Sequence, residues 1–239
     1  MITKKKGIVL RKLNYSESSL IVDIFTEEYG LMSYIISGVR SPKSRMGSSL
    51  LQPMAIVELV AYHSESTTLH RIKEVQSAYI FQNIPGDVRK NAIILFLSEL
   101  CSKVIRQTER HQELYAMIEN TICALDQAET HFANSHILFM IRLADLLGFG
   151  PEEKQNSHVE YFDLLDGRFT INQPDHAYFI HGPELFNRYL VAARHDDAKH
   201  VTADRTTRNQ ILDTLLLYFQ LHIDKMPEIH GHRVLREVL

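Results

Sequence analysis

The chain has no tryptophan, only two cysteines and seven prolines among 239 residues, and no long apolar run. Each scarcity excludes something. A membrane-spanning helix needs about 18 or more consecutive apolar residues, and the apolar stretch after Lys4-Lys5-Lys6 is too brief for a secretory leader, so neither export nor membrane insertion is expected. Cys101 and Cys123 cannot form a CxxC pair, and one bridge would be a poor staple for a chain of this size; a reducing, cytoplasmic compartment is expected. Neither sign of charge dominates. Against 26 Lys and Arg stand 29 Asp and Glu, a formal net charge of −3 that excludes a polycationic protein, and 45% hydrophobic residues exclude disorder. Glycine-rich phosphate loops, nucleophile elbows and HExxH motifs are also missing, so nothing in the motifs points to catalysis.

The apolar pattern that is present changes period once, near residue 80. Before that point, β-rich runs at 7–13, 20–26, 31–38, 54–62 and 68–75 are separated by turn formers such as Tyr29-Gly30 and Ser41-Pro42. Five short strands that must hide their edges imply a small closed barrel, with the OB type as first choice. After Pro85-Gly86-Asp87 the period becomes helical: Ile93, Phe96, Leu97, Leu100, Cys101, Val104 and Ile105 share one face. Further helices are predicted at 113–125, 135–147, 183–193 and 206–223, the second capped by Asn134 or Ser135 and ended by Gly148 in a positive-φ conformation. Between 152 and 180 the helical period lapses, and Asp166-Gly167 between apolar runs predicts a β-hairpin. The expected fold is therefore α+β: a five-stranded OB barrel over 1–80, then an all-helical domain over 81–239 with a small hairpin insertion at about 152–180.

Charge is divided unevenly. Residues 1–76 hold ten cations (Lys4, Lys5, Lys6, Arg11, Lys12, Arg40, Lys43, Arg45, Arg71 and Lys73) against seven acids, net +3, which leaves −6 for the remainder. A basic barrel joined to an acidic helical part implies that the barrel is the half that seeks polyanions. The segment 38–49 carries Arg40, Lys43 and Arg45, no acid and many small hydroxyl residues, the mixture that suits phosphate; its plainer reading is a solvated basic loop. Tyr15 and Tyr62, at the edges of predicted strands, can stack on bases, although a tyrosine at a barrel rim is also ordinary packing. Phe25 reads as core.

Thirteen histidines raise a metal reading. His195-Asp196 has the wording of helical metal-dependent phosphohydrolases, with His111, His131 and His136 as further candidate ligands, but it falls in a polar stretch, and His230-Gly231-His232 lacks zinc spacing. No metal and no cofactor is expected.

Beyond composition, the residues resemble the RecO family of bacterial recombination mediators. The resemblance rests on Gly7-Ile8-Val9-Leu10, Tyr15-Ser16-Glu17-Ser18-Ser19-Leu20, Phe25-Thr26-Glu27-Glu28-Tyr29-Gly30, Ser37-Gly38-Val39-Arg40, Lys43-Ser44-Arg45 and Leu51-Gln52-Pro53-Met54. Phe139-Met140-Ile141-Arg142-Leu143 with Leu147-Gly148-Phe149-Gly150-Pro151 extends it into the second half. It implies a cytoplasmic, nucleoid-associated and non-enzymatic protein of DNA repair and recombination that binds single- and double-stranded DNA and anneals complementary strands. It also implies docking on the C-terminal tail of the single-stranded DNA-binding protein, and work with RecR to load the recombinase. The ten cations of residues 1–76 are then the candidate DNA contacts. Lys103, Arg106, Phe139 and Arg142 are the candidates for the acidic tail, the alternative for Arg142 being a bracing pair with Asp145 or Glu99. Many relatives carry a four-cysteine zinc module after the Leu-Gly-aromatic motif; residues 152–180 contain no cysteine, so packing of Tyr161, Phe162, Leu164, Phe169 and Ile171 is expected to hold the hairpin instead. Two alternatives remain at this stage, the phosphohydrolase with a barrel appendage and an interaction scaffold that binds no DNA.

Overall fold

Why one strand can serve two neighbours explains the barrel. In the computed structural model, which describes residues 2–37, 48–62, 67–106, 110–154, 158–195 and 201–239, strand β1 runs Ile2–Asn14, nearly twice the length of β2 (Leu20–Thr26) or β3 (Gly30–Ile36). Its first half pairs with β4 (Ile56–Tyr62) and its second half with β2. The register slips between Val9 and Arg11, so Leu10 is an extra residue, and a bulge of this kind bends a strand enough to turn a barrel corner. A bulge also leaves a carbonyl without its ladder partner. Here the Ser98 hydroxyl, on a packed helix, donates to the Leu10 oxygen at 2.6 Å. β5 (Leu69–Ser77) pairs antiparallel with β4 and parallel with β3, closing the order β1-β2-β3-β5-β4, which is OB topology as expected. Val9, Val22, Ile24, Tyr34, Ile36, Leu59 and Ala61 fill the interior.

The chain divides into two compact units, Met1–Gln127 and Ala128–Leu239. The first contains the barrel with α1 (Val88–Val104) and α2 (Gln112–Gln127). Asp87 caps α1 by accepting from the Arg89 and Lys90 amides. The second unit contains α3 (Ser135–Leu146), a three-stranded sheet, α4 (Glu184–Arg194), α5 (Arg205–His222) and a short α6 (His232–Val238). α3 is buried on nearly every side, with Ile137, Leu138, Phe139, Met140 and Ile141 all in the core. Gly148, at φ +86°, ends it as expected. Asn134 stands at its N-cap, but its side chain makes no cap: the amide donates to the Val201 carbonyl at 2.7 Å and its oxygen accepts from the Tyr189 hydroxyl at 3.2 Å. Among the described residues no helix is long and apolar enough to cross a membrane.

The predicted hairpin is present as β6 (Tyr161–Asp163) and β7 (Arg168–Thr170), and β8 (Phe179–His181) adds a third strand that the sequence pattern does not announce. Phe162 is its anchor, fully buried with its ring 4.9 Å from those of Phe169 and Phe186. Ile171 takes no such part, being 54% exposed. The Asp163 carboxylate accepts from the Leu165 and Asp166 amides and contacts His176 at 3.2 Å, fastening the turn to the following loop. This packing predicts that prolonged chelation leaves the melting transition in place; unfolding on chelation, or stoichiometric zinc in elemental analysis, would refute it.

Candidate nucleic-acid interface

Strand register builds a solvent-facing surface on the barrel in two rungs. Residues opposite one another share a face. Arg11 lies opposite Asp23, Asp23 opposite Ser33 and Ser33 opposite Leu69. Two residues on, Leu13 lies opposite Ile21, Ile21 opposite Ile35, Ile35 opposite Arg71 and Arg71 opposite Tyr62. With strands ~4.8 Å apart, the second rung crosses about 19 Å of surface. Arg11 grips Asp23 through Nε at 2.8 Å and Nη2 at 2.7 Å, while the Ser33 hydroxyl donates to the other carboxylate oxygen at 2.6 Å. The acid on this face is thus neutralised. Arg71 donates to the Ser37 hydroxyl at 3.3 Å, one residue past the end of β3. In OB barrels the face of strands 2 and 3, with the 1–2 and 4–5 connections, is the one that takes oligonucleotides. Tyr15 opens the first of these connections, and Tyr62 and Leu69 flank the second.

The other candidate cations are distributed by the period-two alternation of strands. Lys12 donates to Gln52 at 3.0 Å, and burial pushes its pKa down. Lys4 is exposed and pairs with Glu58 at 2.9 Å, Lys6 pairs with Glu119 at 2.5 Å, and Lys73 pairs with Glu74 at 3.2 Å. Lys5 differs from the expectation that Lys4-Lys5-Lys6 forms one surface cluster. Alternation turns it to the opposite side of β1, where it is 3% exposed with its ammonium 3.7 Å above the Tyr29 ring, and burial lowers its pKa. It is not a surface contact. Arg40, Lys43 and Arg45 lie outside the described residues.

The four tail-binding candidates are divided between the units. Lys103 and Arg106 belong to the first, where Lys103 pairs with Glu99 at 2.5 Å and Arg106 is exposed just beyond α1. Phe139 and Arg142 belong to the second; Phe139 is core, and Arg142 donates through Nε to the Ala193 carbonyl in the last turn of α4. Asp145, the acid considered for Arg142, is held by Arg194 instead.

Of the metal candidates, His195 is exposed at the end of α4 and Asp196 lies outside the described residues. His111 accepts from the Leu114 amide at the start of α2, and His136 is buried, its pKa pushed down to about 3 by desolvation and by the Arg208 charge. Among the described residues no three His, Cys, Asp or Glu side chains could hold a metal ion.

Sequence reasoning missed Leu13, Ile21, Ile35 and Leu69. The signal was present in Leu20-Ile21-Val22 and Tyr34-Ile35-Ile36, which are apolar at both parities, whereas a strand with one wet face needs apolar residues at only one.

Comparison with known proteins agrees with this architecture. The family described as "Recombination protein O N terminal" matches residues 1–81, and "Recombination protein O C terminal" matches 85–228. A protein of Phocaeicola vulgatus named DNA repair protein RecO is 34% identical over 239 residues, covering 100% of this chain and 99% of that protein. Proteins of the same name from Bacteroides fragilis and Flavobacterium psychrophilum are 34% and 31% identical, again over 100% of this chain and 99% of each relative.

Proposed function

Since the chain belongs to the RecO family of DNA repair proteins, we propose that it acts as a non-catalytic mediator of recombination that binds single- and double-stranded DNA through its barrel and anneals complementary strands. In the same reading it docks the C-terminal tail of the single-stranded DNA-binding protein, works with RecR to load the recombinase, and resides on the nucleoid in the cytoplasm. The DNA work falls to 1–80 and the docking to 81–239. The observation that supports the DNA reading is that strand register puts Arg11 and Arg71 on one outer face of β1, β2, β3 and β5, where the acid among the described residues of the two rungs, Asp23, is paired with Arg11. Arginine forks suit phosphate oxygens, and phosphate contacts bind without reading sequence. For the tail, Arg106 is the exposed member of the candidate set, and a chain-end carboxylate needs such a cation.

Fluorescence anisotropy with a labelled single strand across a salt series tests the DNA reading. Binding weakens with salt, and R11A/R71A flattens the log–log slope by about 1.4, from about 0.7 per lost phosphate contact on single strands. An unchanged slope removes these arginines from the interface; no binding by the unaltered protein at low salt rejects the reading outright.

A further inference from the structure

At the Tyr29-Gly30 end of the barrel a methionine sulfur faces two strong donors. Met32 lies on β3 opposite Ile24 and two residues before Tyr34, so it shares the inward side of the sheet with both and is half-buried against the barrel core. Its Sδ accepts from the Tyr34 hydroxyl at 3.5 Å and from the Lys5 ammonium at 4.0 Å. A thioether is a weak acceptor and makes poor use of a phenol and a cation. Both donors are held in place. Tyr34 is fully buried, and Lys5 is 3% exposed with its ammonium 3.7 Å above the Tyr29 ring. That ring is set in turn by a closed connection, in which Thr26 Oγ1 donates to the Gly30 carbonyl at 2.9 Å and accepts from the Tyr29 amide at 3.1 Å.

We propose that Met32 is a site of reversible oxidation by hydrogen peroxide, and that Lys5 and Tyr34 receive the sulfoxide oxygen, so that oxidation tightens this end of the barrel. The step balances without a further reactant. The sulfur lone pair attacks one peroxide oxygen and the O–O bond breaks. The proton of the transferred hydroxyl passes to the departing hydroxide, which leaves as water; sulfur loses two electrons and peroxide gains them. In an ordinary core this product is a lesion, because a polar S–O bond is buried with nothing to pair it. Here the new oxygen is a far better acceptor than the sulfur it replaces, and a phenol and an ammonium already point at it. Burial lowers the Lys5 pKa, so its ammonium gains from a stronger acceptor within reach. Access follows exposure: Met32 is half-buried, whereas Met54 and Met140 are fully enclosed.

The test treats the full chain with dilute hydrogen peroxide, maps sulfoxides by peptide mass spectrometry and follows thermal melting. Met32 gains one oxygen while Met54 and Met140 stay reduced. Peroxide raises the melting temperature of the unaltered chain by at least about 2 °C relative to its effect on M32L, a control in which the remaining methionines are unchanged. A methionine sulfoxide reductase reverses the rise. In Y34F, which keeps the ring and removes one donor, the rise becomes a fall, and Lys5→Leu, which removes the other, acts in the same direction. Met32 left reduced under conditions that oxidise Met117 or Met226, which are also half-buried, overturns the inference. A fall in the unaltered chain relative to M32L overturns it too, by making the sulfoxide an ordinary core lesion. So does a rise that both donor variants retain, since neither donor then holds the oxygen. If neither donor variant melts cooperatively, the sign of the difference between the unaltered chain and M32L decides alone.

Discussion

Replacing Asp126 with alanine should lower the stability of the protein by ~3 kcal/mol or more, read as a shift of the urea midpoint at unchanged slope. Asp126 is fully buried near the C-terminus of α2, where the helix dipole disfavours a carboxylate. What holds it there is the chain between barrel and helices. The Gln82, Asn83 and Ile84 amides and the Tyr79 hydroxyl all donate to it, at 2.9–3.2 Å, and Lys90 donates to its backbone carbonyl at 2.9 Å. Alanine would strand those donors, and Ile84, itself buried, has no water to turn to. Burial opposes ionisation of Asp126, but the backbone donors outweigh it and the carboxyl sits below its ordinary value. The unfolded chain therefore holds this proton more tightly than the folded one. The ionised group contributes its full stability above the unfolded value of about 3.9 and loses it as pH falls through the lower folded value. Asp126→Asn, which keeps one acceptor and cannot titrate, should therefore lie closest to the unaltered protein in acid, with the gap widening as pH rises through about 4. A gap independent of pH would show that the charge contributes nothing.

The second large effect is expected at Arg194. Its guanidinium forks onto Asp145 at 2.7 and 3.0 Å, reaches Glu153 at 3.1 Å and donates to the Pro151 carbonyl, tying the end of α4 to the end of α3 and to the segment before the small sheet. Both members of the pair are half-buried, at 23% and 29% side-chain exposure. Arg194→Ala leaves Asp145 half-buried and uncompensated at a helix C-terminus, for a loss of about 2–3 kcal/mol. Arg194→Lys should recover less than half, because a point charge cannot reproduce the fork. Gly150 supplies a cross-check. A Cβ there would lie 1.9 Å from an Asp145 carboxylate oxygen and 2.8 Å from its Cα, so Gly150→Ala must displace the same carboxylate. The double variant should then lose less than the two single losses combined. Full additivity in thermal denaturation would mean that the two sites are independent and Asp145 is not their shared partner.

The tail-binding candidates show that a sequence can name a side chain's helix without naming the side chain's partners. Arg142 sits in an apolar stripe of α3 as the pattern indicates, yet its head satisfies a carbonyl in the last turn of α4, and the acid three residues on belongs to Arg194. Helical periodicity says which residues share a face; it carries nothing about which of several arginines reaches a given carboxylate, because that depends on how α3 and α4 cross. Lys5 is the converse case. Its burial was legible, since period-two alternation sends the middle member of a lysine triplet to the other face of its strand, whereas the Tyr29 ring that receives it comes from the β2–β3 connection.

By itself the sequence determined the architecture: five strands, then helices, a Gly148 stop and a turn at Asp166-Gly167, because these follow from local rules of period, capping and turn chemistry that need no distant partner. It also determined the family, through motifs spread along the chain. Tertiary structure alone decided that β1 bends at Leu10 to serve two neighbours, that the compact unit containing the barrel extends to Gln127 through the grip of Asp126 on residues 82–84, and that Leu13, Ile21, Ile35, Arg71 and Tyr62 form one rung. Those facts depend on register and on contacts between residues more than forty positions apart, such as Asp126 with Gln82, and a linear pattern records which residues are apolar without recording what stands opposite them.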